Sequence, residues 1–223
     1  QYPLLEAAHA DTTGFINSYR IMDWLGKRLR EDERLVIDNG SIMCPVFQVM
    51  QFKPPQRVMT AGCLGEMGCG LPGAIGVSIA GGKREVLAVI GDGGMMMNLQ
   101  ELATIKNHDL PIKMMVFEND GYSMIKGTYA NMKLQRQGVS KATGLSFPDF
   151  RKLAQAWGLQ AWDVRTWADF DEVIPALLAA PGPALAVAHI DPEQRFVPRL
   201  QPIVSADGKI TPARFDQLSP IHA

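Results

Sequence analysis

The chain has 223 residues, 47% of them hydrophobic and 20% charged, with 22 basic against 23 acidic side chains and a net charge of −1. That length suits one large domain with trailing extensions, and that composition excludes a disordered chain. No basic block stands out and no apolar run approaches the roughly 20 residues that span a bilayer, so neither nucleic acid nor a membrane is an expected partner.

Residues 1–16 lack the basic-then-apolar layout of a signal peptide and read as an exposed lead-in. They also begin without methionine, so the chain is expected to have been cut or trimmed. A compact domain is expected over 17–191. Asn17-Ser18 can cap a helix, after which Ile21, Met22, Leu25 and Leu29 recur at helical spacing. RLVID (34–38) predicts a short buried strand, broken by Asn39-Gly40-Ser41. The small residues of LPGAIGVSIAGG (71–82) suit a helix packed close to a sheet, although glycine weakens such a helix in isolation.

EVLAVI (85–90) has no polar residue inside the run, the pattern of a parallel strand covered on both faces. NLQELATIKNH (98–108) reads as a helix and IKMMVFE (112–118) as another buried strand. FPDFRKLAQAWG (147–158) reads as a helix closed by Gly158, LQAWDV (159–164) as a strand, DFDEVIPALLAA (169–180) as a helix and ALAVAHI (184–190) as a strand. This alternation predicts an α/β fold, a doubly wound parallel sheet with helices on both faces. Two segments stand outside it. Residues 123–146 are polar and without period, the pattern of a lid or mobile loop, and their Lys and Arg read as a solvated face. The proline-bearing stretch 192–223 reads as an extended C-terminal arm lying on the surface or on a partner.

Cys44, Cys63 and Cys69 form no CxxC pair, and an odd number fits reduced packing thiols and a cytoplasmic setting. The four histidines show no ligand spacing and read as structural or exposed.

The chemistry concentrates at VIGDGGMMMNLQEL (89–102). A glycine-rich turn after a strand offers backbone N–H groups to phosphate, yet Asp92 puts a carboxylate in its middle. Asn119 follows the next strand, 27 residues on, so one crossover brings both to the carboxyl edge of the sheet. Two hard oxygen ligands suit Mg²⁺ or Ca²⁺, and a divalent cation reconciles the carboxylate with a phosphate group. A helix beginning near Met97 would add its N-terminal N–H groups. The segment has no GK[ST] of a Walker A loop and no third glycine of a dinucleotide fingerprint.

GDGGMMMNLQEL, followed by ENDGYSMI (118–125) and preceded by GEMGCGLPGAIG (65–76), resembles the motifs of thiamine diphosphate enzymes, with most similarity to the C-terminal cofactor domain of acetolactate synthases. The resemblance extends to FINSYRIMDWL near the start and to GPALAVAHIDPEQ and GKITPARFDQLSP near the end. It implies that Asp92, Asn119 and the Gly121 carbonyl hold Mg²⁺, and that Gly93, Gly94, Ser123 and Met124 face the diphosphate. It also implies that Met67 lies under the bent cofactor and that the Gly65 carbonyl accepts from its 4′-amino group. The activity implied is decarboxylation of a 2-oxo acid, pyruvate foremost, with transfer of the two-carbon unit. The alternatives are the cofactor subunit of a two-subunit 2-oxo acid decarboxylase and a non-catalytic assembly domain.

No glutamate here matches the one that the family uses to protonate the aminopyrimidine, so no catalytic side chain is assigned and this chain alone is expected to be inactive. A pyrimidine-binding domain of the same protein or of a partner subunit would supply that glutamate, in a dimer or tetramer. The chain is expected to be the last third of a longer enzyme or one subunit of a split one. FAD, which acetolactate synthases bind in a central domain, has no segment for it here. Three positions depart from the family. Ser41-Ile42 stands for Gln-His, leaving the Ser41 hydroxyl as the diphosphate contact, and Ser123 stands for glycine. Glu118 stands for asparagine, and either turns away from the metal or adds charge beside it.

Overall fold

The computed structural model describes residues 4–200, 202–205, 207–214, 216 and 218–219. Asn17 starts the first helix, its side-chain oxygen accepting the Tyr19 N–H at 3.0 Å, and α1 (Ser18–Arg28) buries Tyr19, Ile21, Met22 and Leu25. There follow β1 (Arg34–Ile37), α2 (Met43–Val49), β2 (Arg57–Met59), α3 (Gly70–Ala80) and β3 (Val86–Gly91). After β3 come α4 (Asp92–Met97), α5 (Glu101–Asn107), β4 (Ile112–Glu118), α6 (Ser123–Asn131), α7 (Phe150–Ala156), β5 (Gln160–Val164), α8 (Trp167–Ala179) and β6 (Ala184–His189).

The six strands of the main sheet are all parallel, in the order β2-β1-β3-β4-β6-β5. The continuous apolar runs make β3 and β4 the centre of the sheet, buried on both faces. Leu87 and Val89 join Val46 of α2, Leu25 of α1 and Phe170 of α8 on one face. Ala88 and Ile90 join Leu71 of α3, Ile105 of α5 and Phe150 of α7 on the other. The doubly wound α/β expectation therefore holds. Lys113 is the polar exception inside β4, and its ammonium donates to the carbonyls of Ala180 and Gly182 at 2.5 and 2.6 Å.

The helix read over 98–108 is α5, which begins only at Glu101; ahead of it a separate short helix, α4, starts at Asp92, directly on the end of β3, and Asn98 closes it. The expected loop 123–146 contains α6, whose only buried residue is Lys126, so no apolar stripe announces it. Strand β2 and helix α2 add to the elements read from the sequence.

The lead-in is not wholly exposed. His9 is buried, stacks on Tyr19 with ring centroids 4.1 Å apart and hydrogen-bonds the Val197 carbonyl at 2.9 Å. Gln194 exchanges hydrogen bonds with Ser18, at 2.9 and 2.6 Å, so the first residues of the arm are strapped to the start of α1. Further on, Ile203–Val204 pairs antiparallel with Ile210–Thr211, and Arg199–Leu200 with Leu218–Ser219. Among the described residues no helix is long and apolar enough to cross a membrane.

Candidate functional site

After β1 the chain crosses through α2 on one face of the sheet, and after β3 it crosses through α4 and α5 on the other. The carboxyl ends of these neighbouring strands diverge and leave a crevice, the place where ligands enter open α/β sheets. A cavity of about 440 Å³ lies there, lined by residues 39–44 after β1, Gly91–Gly94 after β3, residues 121–125 after β4, and Gly65 and Met67. Of the residues singled out in the sequence, Ser41, Gly65, Met67, Asp92, Gly93, Gly94, Gly121, Ser123 and Met124 all line it. Asn119 does not, but it hydrogen-bonds to Asp92.

Asp92 is 2% exposed. One carboxylate oxygen accepts the Gly93 N–H at 2.7 Å, and the other accepts the N–H groups of Asn119 and Gly121 at 3.0 and 2.9 Å. Burial pushes its pKa up to about 6, against the pull of those three N–H groups. Asn119 is 5% exposed, and its amide nitrogen reaches the Ser41 hydroxyl at 3.4 Å. Its Oδ1 is buried with no hydrogen-bond donor among the described residues. A buried carboxylate that resists ionisation beside an orphaned amide oxygen fits a hard cation. The cation would satisfy the oxygen and hold the acid ionised. The Gly121 carbonyl accepts the Ser123 N–H at 3.1 Å, leaving a second lone pair for a cation.

The glycines keep this crevice open. A Cβ on Gly93 would meet the Tyr122 ring at 2.5 Å and approach the Met67 methyl at 3.6 Å, so Met67 reaches across the GDG turn. A Cβ on Gly94 would collide with the Asp38 carboxylate. Gly121 has φ +116° and faces the Val139 carbonyl too closely for any side chain.

Asp38 is the residue that sequence reasoning missed. Wholly buried at the end of β1, it accepts the N–H groups of Gly68 and Gly70 at 3.0 and 3.2 Å and the Cys69 thiol at 3.2 Å. Asn39 continues the hold, donating to the carbonyls of Ala61 and Glu66 at 3.2 and 2.6 Å. These two side chains fix the Gly65–Gly70 segment over the crevice. The available signal was a buried strand, RLVI, ending in two polar side chains.

One other reading changes and two are sharpened. Lys126 is 3% exposed, not on a solvated face, and its ammonium donates to the carbonyls of Asn119 and Pro192 at 2.9 and 3.2 Å. Glu118 turns away from Asp92 and meets His189 Nδ1 at 2.6 Å. His189, read only as structural or exposed, sits between Glu118 and Asp163, whose Oδ1 is 2.8 Å from Nε2.

Comparison with known proteins agrees with this geometry. Residues 38–188 match the family model described as "Thiamine pyrophosphate enzyme, C-terminal TPP binding domain". The chain is 30% identical over 187 residues to acetolactate synthase isozyme 1 large subunit of Escherichia coli, covering 84% of this chain and 33% of that protein. It is 32% identical over 179 residues to the probable acetolactate synthase large subunit of Methanocaldococcus jannaschii, covering 76% and 30%. Against acetolactate synthase 2, chloroplastic, of Nicotiana tabacum it is 33% identical over 158 residues, covering 69% and 24%. The chain thus spans about a third of the length of the curated relatives it matches. The family match takes in more than half of the chain, from Asp38 through the GDG turn to the last sheet strand, and the chain belongs to the C-terminal thiamine pyrophosphate-binding domains of the thiamine pyrophosphate enzymes.

Proposed function

We propose that this domain binds thiamine diphosphate through Mg²⁺ in the crevice between β1 and β3, as the cofactor half of an acetolactate synthase-like enzyme. The single observation that carries the reading is the pairing of Asp92, whose burial opposes its ionisation, with the orphaned Oδ1 of Asn119. Bound there, the cofactor would supply the carbon nucleophile and electron sink for decarboxylating a 2-oxo acid, pyruvate foremost, and passing on the two-carbon unit.

In this reading Asp92, Asn119 and the Gly121 carbonyl hold the cation. Gly93, Gly94, Ser123, Met124 and the Ser41 hydroxyl face the diphosphate oxygens. Met67 props the ring half, an apolar and adaptable side chain adding no charge there. The Gly65 carbonyl orients the amino group. The residue that activates the aminopyrimidine comes from a pyrimidine-binding domain, of the same protein or of a partner subunit, so the working enzyme is an oligomer. The relatives' names and the shared cofactor domain support acetolactate synthase chemistry, and the three free cysteines suit a cytoplasmic setting.

Thermal melting tests the reading. Thiamine diphosphate with Mg²⁺ should raise the melting temperature by several degrees, as a ligand at 100 times its Kd adds about 2.7 kcal/mol. The same diphosphate in EDTA should leave it unchanged. No shift in either condition would count against the cofactor. Once the partner domain is supplied, product analysis with pyruvate should give a carboligated acid. Acetaldehyde alone would mean simple decarboxylation.

A further inference from the structure

Beyond the cofactor crevice, the most organised group of ionisable side chains lies at the carboxyl ends of β4, β6 and β5. Glu118 and His189 are direct partners in the β4–β6 register, and Asp163 stands on β5, which is paired to the other side of β6. Strand alternation puts all three on the sheet face covered by α7. Glu118 Oε2 lies 2.6 Å from His189 Nδ1, His189 Nε2 lies 2.8 Å from Asp163 Oδ1, and Asp163 Oδ2 lies 2.8 Å from Arg151 Nε on α7. The imidazole side chain is 12% exposed. Both of its nitrogens face carboxylates, and only the imidazolium donates to both. Burial alone would lower its pKa, but the hydrogen bonds to Glu118 and Asp163 prevail and leave it raised.

The chain of contacts begins one residue from Asn119. Glu118 ends β4 and Asn119 follows it, so a carboxylate stands next to an amide of the cation site yet is pinned toward the opposite edge of the sheet. Even so turned, its charge is among those that raise the pKa of Asp92. A second carboxylate swung into that site would take cation coordination positions from diphosphate oxygens. It would also favour the larger Ca²⁺, which accepts more carboxylate oxygens than Mg²⁺.

We propose that His189 is a positioning residue: by pinning Glu118 toward Asp163, it keeps a second carboxylate out of the Asp92–Asn119 site, leaving the cation open to a diphosphate. This rests on reading Asp92 and Asn119 as the cation site, and it makes His189 a determinant of which cation that site prefers.

Calorimetric titration of the full chain with Mg²⁺ and with Ca²⁺, each alone, tests it on wild type, His189→Gln, Glu118→Gln and the double variant. His189→Gln should shift the Ca²⁺ to Mg²⁺ affinity ratio roughly tenfold toward Ca²⁺, since ligand charge count tunes such sites over decades. Glu118→Gln and the double variant should keep the wild-type ratio, because neither has a carboxylate to release. Asp163→Asn, which loosens the imidazole from its other side, should move the ratio in the same direction by less, and stands in if His189→Gln does not fold. An unchanged ratio in both His189→Gln and Asp163→Asn would overturn the assignment. So would a double variant as altered as the single one, the mark of a merely structural loss. If wild type and Asp92→Ala bind the cations equally, the cation reading itself fails, an outcome visible without any His189 variant.

Discussion

The Asp92 carboxylate accepts the backbone N–H of Asn119 at 3.0 Å, joining residues 27 apart in sequence across the ends of β3 and β4. This bond places the Asn119 side chain, with its unpaired oxygen, beside the carboxylate. The acid therefore has two tasks, holding the loop after β4 and offering an anionic oxygen to a cation.

Removing it should reveal both. Asp92→Ala leaves the N–H groups of Gly93, Asn119 and Gly121 without their acceptor. Each unpaired buried donor costs about 1–3 kcal/mol, less whatever water repairs. A net loss of about 3 kcal/mol should lower the melting temperature by roughly 6–12 °C. Asn119→Ala removes no acceptor of a backbone N–H, so it should cost less than half as much while losing cation binding. Thermal melts of the two variants check the order.

The pH dependence follows from the same acid. Its pKa in the fold is about 6, above the ordinary carboxylate value, so its contribution to stability is fully present below about pH 4. That contribution is lost as pH rises through 6, because ionisation is then easier in the unfolded chain. In EDTA, the stability of wild type relative to Asp92→Asn should fall by on the order of 2 kcal/mol between pH 4 and pH 7.5. Urea midpoints at the two values measure this. With Mg²⁺ the sign reverses, since the cation binds the ionised form, and affinity should climb across the same interval.

Glycine positions separate close approach from mere flexibility. At Gly94 a methyl group would strike the Asp38 carboxylate, which also holds Gly68 and Gly70. Gly94→Ala should cost about 1–3 kcal/mol and disorder the segment over the crevice. Gly76, on an exposed part of α3, has nothing within 4 Å of the equivalent methyl. Gly76→Ala should stabilise by about 0.5–1 kcal/mol. Denaturant unfolding of both variants provides the contrast.

Lys126→Met offers a further check. The ammonium ties the Asn119 carbonyl to Pro192 at the root of the arm. An apolar side chain of similar length leaves two carbonyls unpaired, so stability should drop by about 1–3 kcal/mol. Hydrogen exchange should quicken in both the loop 119–122 and the segment 191–199.

What the sequence made legible follows from how each element is stabilised. β3 and β4 are covered on both faces, and their uninterrupted apolar runs announced them. β2 is an exposed three-residue edge strand one residue after Pro54 and Pro55, with nothing to mark it. α2 carries Pro45 within seven residues, and α6 buries only a charged side chain. Asp92 and Asn119 stood out because one crossover sets their spacing. Asp38 did not, because its partners are backbone N–H groups 30 and 32 residues away. The Glu118–His189–Asp163 chain depends on β6 lying between β4 and β5, an order that no local pattern encodes.

The central claim is that a cation bridges Asp92 and Asn119 to a diphosphate. The most direct measurement is a calorimetric titration of this chain with thiamine diphosphate in Mg²⁺, in EDTA, and in Mg²⁺ with Asp92→Ala, at a temperature where the variant remains folded. Binding in the first condition and none in the other two is the predicted result. Equally tight binding in EDTA would contradict the metal bridge.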